Sequence, residues 1–271
     1  MLYFCNKTLR NENNLIENRT YKSFEQKIEE LTNDFENGSS AIALKALEIF
    51  TEEIESVILS LSKNEIETIK NKIIAVKPAM AAVKNIIESA FHLFQKGITS
   101  KNIQKQIIDR IEIATGNVVE HANNNIIGKN YHAIATCSFS STVMKVFKQL
   151  MYTGHQFNVL AFESQWNKRD YADTVMEKCR INDIEAVKFN KDEFLKSDYD
   201  CGLIGADAII PGKGVVNGIP SKLFSELLKE KEKPLFVVAE SFKKSNQIHI
   251  DDGFDFIPNV LLTQIFMDEI F

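Results

Sequence analysis

At 271 residues the chain is too long for a small disulfide-stapled domain and fits one large α/β domain or two modest ones. Its 44% hydrophobic, 25% charged and 10% aromatic content is that of a folded protein and excludes low-complexity or disordered architecture. Lys and Arg total 32 against 37 Asp and Glu, a formal charge of −5, which argues against a dedicated nucleic-acid binder. No apolar run reaches the ~18 residues a membrane span requires. Asn6, Lys7, Arg10 and Glu12, close behind Met1, leave no room for a signal-peptide core. Cys5, Cys137, Cys179 and Cys201 are scattered without a CxxC pair, and the five histidines have no metal-ligand spacing. The expectation is a cytoplasmic protein with no membrane segment, no direct nucleic-acid contact, no metal and no cofactor.

In chain order, the first elements all read as helices. Glu25 to Phe35 alternates charged and apolar groups at helical spacing, and Asn37-Gly38 punctuates it. After Ser40, Ile42, Leu44, Leu47, Ile49, Ile54 and Ile58 form a broad apolar stripe. Ser62 and Glu65 have capping-box spacing for a third helix, which Lys77-Pro78 breaks. Ala79 to Gln95 and Ile103 to Asn123 follow as two more.

After Asn130 the pattern changes. YHAIAT, FNVLAF, IEAVKF, CGLIGADAII and PLFVVA are short apolar runs of strand length, separated by stretches of helical length. Continuous apolar strands alternating with helices predict a parallel sheet covered on both faces. The fold class is therefore α/β: an α-helical N-terminal domain at 1–126 followed by a Rossmann-like parallel-sheet domain at 127–271. KLFSELLKEKEKP reads as a solvated helix face, and PGKGVVNG as a Gly-rich hairpin turn that fits neither the P-loop nor the GxGxxG spacing.

In such sheets ligands sit beyond the carboxyl ends of the strands. Asp207, inside GADA, lies at such an end, as a ligand-orienting or catalytic acid or as the cap of the next turn. TCSFSST follows the first strand and opens a helix. Its hydroxyls and free N–H groups suit a phosphate, or serve only as a Ser-rich N-cap. Cys137 lies there as a candidate nucleophile or proton carrier, with no base to assign to it.

Together these segments carry more than any one alone. GADAIIPGKGVVNGIPSKLFSELLKEKEKPLFVVAESFK resembles a signature stretch of the family that contains the α, β and δ subunits of translation initiation factor 2B. Ribose-1,5-bisphosphate isomerase and methylthioribose-1-phosphate isomerase belong to the same family. The family pattern is Gly-Ala-Asp, a turn, Asn-Lys-(x)-Gly-Thr, a helix, then a strand ending in Ala-x-x-x-Lys. IATCSFSSTVMKVF, AFESQWNKRDYADTVMEK and IPNVLLTQIFMDEI extend the resemblance, and GSSAIALKAL and KPAMAAVKNI resemble the family's Arg-Gly-Ala and Arg-Pro-Thr segments. The resemblance covers about residues 30–271 and implies a helical domain on a Rossmann-like domain.

What it implies about activity divides. In the family isomerases an Asp and a Cys flank a phosphosugar and move a proton or hydride between its C1 and C2. The Asp column is Asp207, whereas the Cys column falls on Ser138 and Cys137 replaces a His. The resemblance implies ligand contacts from Gly38 and Ser39, from Lys77, from Ser140 and Ser141, from Glu163 and Gln165, and from Asn217 and Lys243. Against the pattern, Asn37 and Lys77 stand where Arg is expected, Gln165 and Trp166 replace Arg-Pro, and Gly218 replaces Lys. These departures favour a non-catalytic protein that binds a phosphorylated sugar, a nucleotide or a partner subunit. The alternative is an aldose–ketose isomerase using Asp207 with Ser138 or Cys137. A homodimer through the Rossmann-like domain is expected, and an initiation-factor subunit is a further partner the resemblance implies. The apolar tail LLTQIFMDEIF adds to the dimer expectation, having more large hydrophobes than a free terminus exposes.

Overall fold

The computed structural model describes residues 22–57, 63–268 and 270, so the Ser62 cap, Ile58 and the N-terminal run with Cys5 lie outside the described residues. Five helices come first: α1 (Phe24–Thr32), α2 (Ser39–Val57), α3 (Lys63–Ile74), α4 (Ala81–Gln95) and α5 (Ser100–Lys129). α1 opens on a capping box, with the Gln26 N–H donating to Ser23 Oγ and the Ser23 N–H to Gln26 Oε1. Ile42, Leu47 and Phe50 of α2, Val83 and Ile87 of α4, and Ile103 and Ile107 of α5 close one apolar core. The stripe after Ser40 is this buried face. Pro78 sits in the turn between α3 and α4, where its missing N–H is harmless.

α5 runs for 30 residues, about 45 Å at the helical rise. Ile103, Ile107 and Ile111 lie in the helical core, while Val118, Ala122 and Ile126 lie in a second core against the sheet. One continuous helix therefore contributes to both cores.

The alternating half contains β1 (Ala133–Cys137), α6 (Ser141–Tyr152), β2 (Asn158–Phe162), the short hairpin β3 (Gln165–Trp166) and β4 (Arg169–Asp170), α7 (Tyr171–Ile181), β5 (Glu185–Phe189) and α8 (Lys191–Lys196). β6 (Cys201–Ile204), β7 (Ala208–Ile210), β8 (Gly214–Gly218), α9 (Ser221–Glu230), β9 (Leu235–Val238), β10 (Phe254–Pro258) and β11 (Gln264–Phe266) complete it. Six strands form a parallel sheet in the order β11-β9-β6-β1-β2-β5. Successive side chains of β1 enter different cores, Ile134 with α6 and α7 and Ala135 with α8 and α9. That two-sided burial is why the strands read as unbroken apolar runs.

Three expectations need correction. CGLIGADAII is two strands, not one: β6 joins the parallel sheet, and the chain turns at Gly205–Asp207 so that β7 enters a separate antiparallel sheet with β8 and β10. The turn after Ile210 joins β7 and β8 as a hairpin, in keeping with its glycines. KLFSELLKEKEKP is not a purely solvated face, because α9 buries Phe224, Leu227 and Leu228 under the sheet. In the described part of the apolar tail, Leu261, Leu262, Ile265 and Met267 are half-buried and do not form an exposed surface either. Its Gln264–Phe266 segment is the edge strand β11, and Phe266 is buried with its ring 5.6 Å from that of Phe236. Among the described residues no helix is long and apolar enough to cross a membrane.

Candidate functional site

The break between β6 and β7 leaves Asp207 beyond the end of the parallel sheet. Its backbone is fixed on both sides, the N–H donating to Val216 O at 2.8 Å and the carbonyl accepting from the first N–H of α4, that of Ala81, at 3.1 Å. The helical core is thus tied to the sheet end at this residue. The Asp207 carboxylate is enclosed between Ser39, whose hydroxyl hydrogen-bonds to it, and the charge of Lys243. Burial pushes its pKa above the usual carboxylate range, and Lys243 and Ser39 only partly offset this.

Lys243 ends the turn Ser241–Lys243 after β9 and is almost wholly buried. Its ammonium lies 3.0 Å from Glu240 Oε2, where the two side chains are 3% and 1% exposed. Glu240 Oε1 accepts from Thr115 of α5 at 3.0 Å and from Thr142 of α6 at 2.9 Å. Burial acts to raise the Glu240 pKa, but the adjacent Lys243 charge and hydrogen bond outweigh it and hold the group below its ordinary value. A buried ion pair with both hydroxyls satisfied is the kind that costs most to break on one side.

Two helix N-termini line the space beside these charges. α2 begins at Ser39, after Gly38, and α6 begins at Ser141, after Ser140, whose hydroxyl accepts from the Val143 N–H at 3.3 Å. Gly38, Ser39, Ser140, Ser141, Asn217 and Lys243 line one cavity of about 10 Å³ beside Asp207. Gly205 belongs here by necessity, because a Cβ at that position would overlap the Ser140 hydroxyl. Gly38, Phe139 and Asp207 also line a neighbouring cavity of about 60 Å³, which adds Lys77, Ser138, Trp166 and Tyr171. The two cavities share Gly38, Phe139 and Asp207 in their walls, and at these volumes the cleft they outline holds a few waters or a small ion.

Ser138 stands at the mouth of β1 with φ 62, a left-handed backbone that non-glycine residues adopt rarely and that collects at functional turns. Its N–H donates to Ser164 Oγ at 2.9 Å, and Ser164 Oγ donates in turn to Phe162 O at 2.7 Å. A Cβ on Gly218 would lie 2.6 Å from Ser138 Oγ, so a side chain at that strand end would require the Ser138 hydroxyl to rotate away. Among the described residues, no protein group hydrogen-bonds to the Ser138 hydroxyl.

Cys137, one residue earlier, points the other way. It is buried in the sheet core, its thiol 3.7 Å from Ser164 Oγ and 3.9 Å from Ser221 Oγ. Burial pushes its pKa up to about 12, which disfavours the thiolate a nucleophile needs. Glu163 and Gln165 are also not brought to the cleft. The Glu163 N–H is used in bonding Phe189 O, and Gln165 is an exposed residue of β3 paired with Asp170. The cause is the small hairpin β3–β4, which was not legible in the sequence and lifts Gln165 outward while Trp166 turns in against Gly253.

The far side of the cleft is a loop between α1 and α2. Lys77 is buried 4.1 Å above the Phe35 ring, and burial lowers its pKa against the opposing pull of Asp34 and Asp251. Asn37, where the family Arg was expected, directs its amide to both oxygens of Asp34 at 3.0 and 2.9 Å. Arg169 pairs with Glu36, and the Tyr171 hydroxyl donates to Phe35 O at 2.8 Å, so the hairpin and α7 clasp this loop. Glu240, Asp34, Phe35 and Tyr171 lie at or beside the cleft and were passed over by sequence reasoning, whereas Ser164 fell within the segment 163–165 already singled out. Only Glu240 had a local signal, its spacing of three from Lys243. A larger groove of about 590 Å³ opens nearby between α3, α4 and the segment after Lys243, but its walls do not include Asp207.

The sequence profile of the initiation factor 2 subunit family matches residues 35–257. A translation initiation factor eIF-2B subunit 2-like protein of Pyrococcus furiosus is 27% identical over 231 residues, covering 82% of this chain and 79% of that protein. The ribose 1,5-bisphosphate isomerase of Methanocaldococcus jannaschii is 22% identical over 208 residues, 74% of this chain and 66% of that one. Among solved structures, the translation initiation factor eIF-2B of Pyrococcus horikoshii OT3 superposes with a TM-score of 0.77 at 21% identity, covering 90% of this chain and 94% of that one. A chain of the tetrameric eIF2B-beta2-delta2 complex from C. thermophilum gives 0.72 at 12% identity, with 91% of each chain covered.

Proposed function

Since the chain belongs to the initiation factor 2 subunit family, we propose that it is a non-catalytic, cytoplasmic member that holds a phosphorylated small molecule in the Asp207–Lys243 cleft. We further propose that it works as a homodimer or alongside a related subunit. The observation that carries this reading is the state of the two groups expected to do chemistry. Among the described residues no base bonds the Ser138 hydroxyl, and a serine hydroxyl without one does not replace a tuned thiol. Cys137 is buried with its pKa near 12. What persists is binding equipment: two helix N-termini, a buried lysine and a carboxylate able to orient hydroxyls. The similarity to a chain of an assembled eIF2B-beta2-delta2 complex supports the partner half of the proposal.

One observation favours the isomerase alternative. Asp207 is a desolvated acid with an elevated pKa, the environment enzymes use for proton transfer. The two readings separate in one assay, the interconversion of ribose 1,5-bisphosphate or methylthioribose 1-phosphate by wild type, Asp207→Asn and Ser138→Cys. The binding reading expects no turnover by wild type, with a thermal shift from a sugar phosphate retained in Ser138→Cys. Wild-type turnover abolished by Asp207→Asn would establish the alternative.

A further inference from the structure

The groove of about 590 Å³ between α3, α4 and the segment after Lys243 shares only Lys77 and Met80 with the walls of the Asp207 cleft. Lys77 turns its ammonium over Phe35, on the cleft side. One wall of the groove is a single stripe of α4, where Ala81, Lys84, Asn85 and Glu88 recur at the spacing of one helix face. Another is the irregular run 244–249. The Asn85 amide pins that run to α4, donating to Phe242 O at 2.7 Å and to Lys244 O at 2.8 Å. The Ser245 N–H ties it to β7 through Ile209 O at 2.8 Å. Both walls are therefore held by the fold itself. Much of the remaining lining is apolar, from Ile74, Ala75, Pro78 and Met80. A preformed space of this volume, apolar with a few fixed polar groups, is the usual form of a small-molecule site.

Its charge names the class of ligand. Lys84, Lys244 and the shared Lys77 stand against one carboxylate, Glu88, so the groove is locally positive on a chain of formal charge −5. Among the described residues neither Lys84 nor Lys244 makes an ion pair, whereas Lys45 pairs with Asp34 and Lys72 with Glu25. The N–H groups entering α4 are already spent. That of Ala79 goes to Asp251 Oδ2 at 3.2 Å, that of Met80 to Lys77 O at 2.9 Å and that of Ala81 to Asp207 O at 3.1 Å. With no arginine in the walls either, nothing forms the cradle or fork that favours a phosphate. A carboxylate needs only the ammonium groups. We propose that this groove binds a small organic carboxylate with an apolar body, the carboxylate held by Lys84 and Lys244 and the body lying against Ile74, Pro78 and Met80. The site is separate from the cleft, so it stands or falls independently of the sugar-phosphate reading.

The test is a ligand-observed NMR titration of the full chain with phenylbutyrate and its uncharged counterpart phenylbutyramide, at fixed ionic strength. The carboxylate is expected to bind with a Kd of about 1 mM or tighter, and at least about fivefold tighter than the amide. Lys84→Gln and Lys244→Gln are each expected to weaken it about three- to tenfold. Glu88→Gln, which removes the carboxylate from the wall, is expected to tighten it about twofold. Equal binding of phenylbutyrate and its amide overturns the inference, as does an affinity that neither lysine variant moves. So does tighter binding of acetylated tetraglutamate, which would make the groove a seat for an acidic protein segment. Absence of binding at about 10 mM phenylbutyrate also overturns it.

Discussion

Truncating Glu240 to Ala tests whether the buried ion pair carries the site. Glu240 and Lys243 are 1% and 3% exposed, and the same carboxylate takes the hydroxyls of Thr115 and Thr142. Removing it strands an ammonium in the interior beside Asp207 and leaves both hydroxyls without their acceptor. Breaking a buried pair from one side costs about 3–5 kcal/mol. At roughly 2–4 °C per kcal/mol for a chain of this size, the melting temperature is expected to fall by about 6–20 °C. Glu240→Gln keeps an acceptor for the threonines and loses only the charge, so its loss is expected to be smaller, about 1–3 kcal/mol. The pH dependence has a definite sign. Burial raises the Glu240 pKa but Lys243 outweighs it, so the folded value lies below the ordinary 4.5. The stabilisation is then complete above pH 4.5 and is lost as the pH falls through the folded value. Differential scanning calorimetry of wild type and both variants from pH 7 down to about pH 2.5 reads this directly. A Glu240→Ala protein melting within about 2 °C of wild type at pH 7 would refute the reasoning, since no buried charge could then have been left unpaired.

Other outcomes follow from the same geometry. Asp207 is held above its ordinary pKa by burial, so its ionisation opposes folding above the folded value and this cost fades as the pH falls through it. Asp207→Asn is therefore expected to raise stability at pH 7 by roughly 0.5–2 kcal/mol, less at pH 4, and a variant melting at or below wild type at pH 7 contradicts this. Gly253 has φ +92, and a Cβ there would lie 2.6 Å from the ring of Trp166. Gly253→Ala is expected to cost about 2–4 kcal/mol and to red-shift the emission of this protein's single tryptophan, and unchanged fluorescence argues against the packing described. Cys137, with its pKa near 12, is expected to stay unalkylated by iodoacetamide at pH 8 in the native protein. Peptide mass spectrometry showing rapid modification would return it to the list of reactive groups.

Much of the architecture was legible in local pattern. The stripe from Ile42 to Ile54 and the runs around Ile134, Leu160 and Val237 are buried as their spacing indicated, because helical and strand periods are properties of neighbouring residues. Asp207 could likewise be singled out, since an acid at the end of an apolar strand is conspicuous in one dimension. The tertiary structure decided what such residues face. Glu240 and Lys243 become a buried pair only because α5 and α6 bring Thr115 and Thr142 to the same carboxylate. Ser138 and Cys137 are adjacent in sequence, yet the left-handed turn at Ser138 aims one at the cleft and leaves the other in the core. Gln165 is carried outward by a hairpin of two residues per strand, too short to leave a periodic signal. Burial and charge balance depend on groups that lie far apart along the chain. A sequence read from neighbour to neighbour therefore identifies the candidates, and the packing of α2, α5 and α6 around the sheet end sets their pKa values and partners.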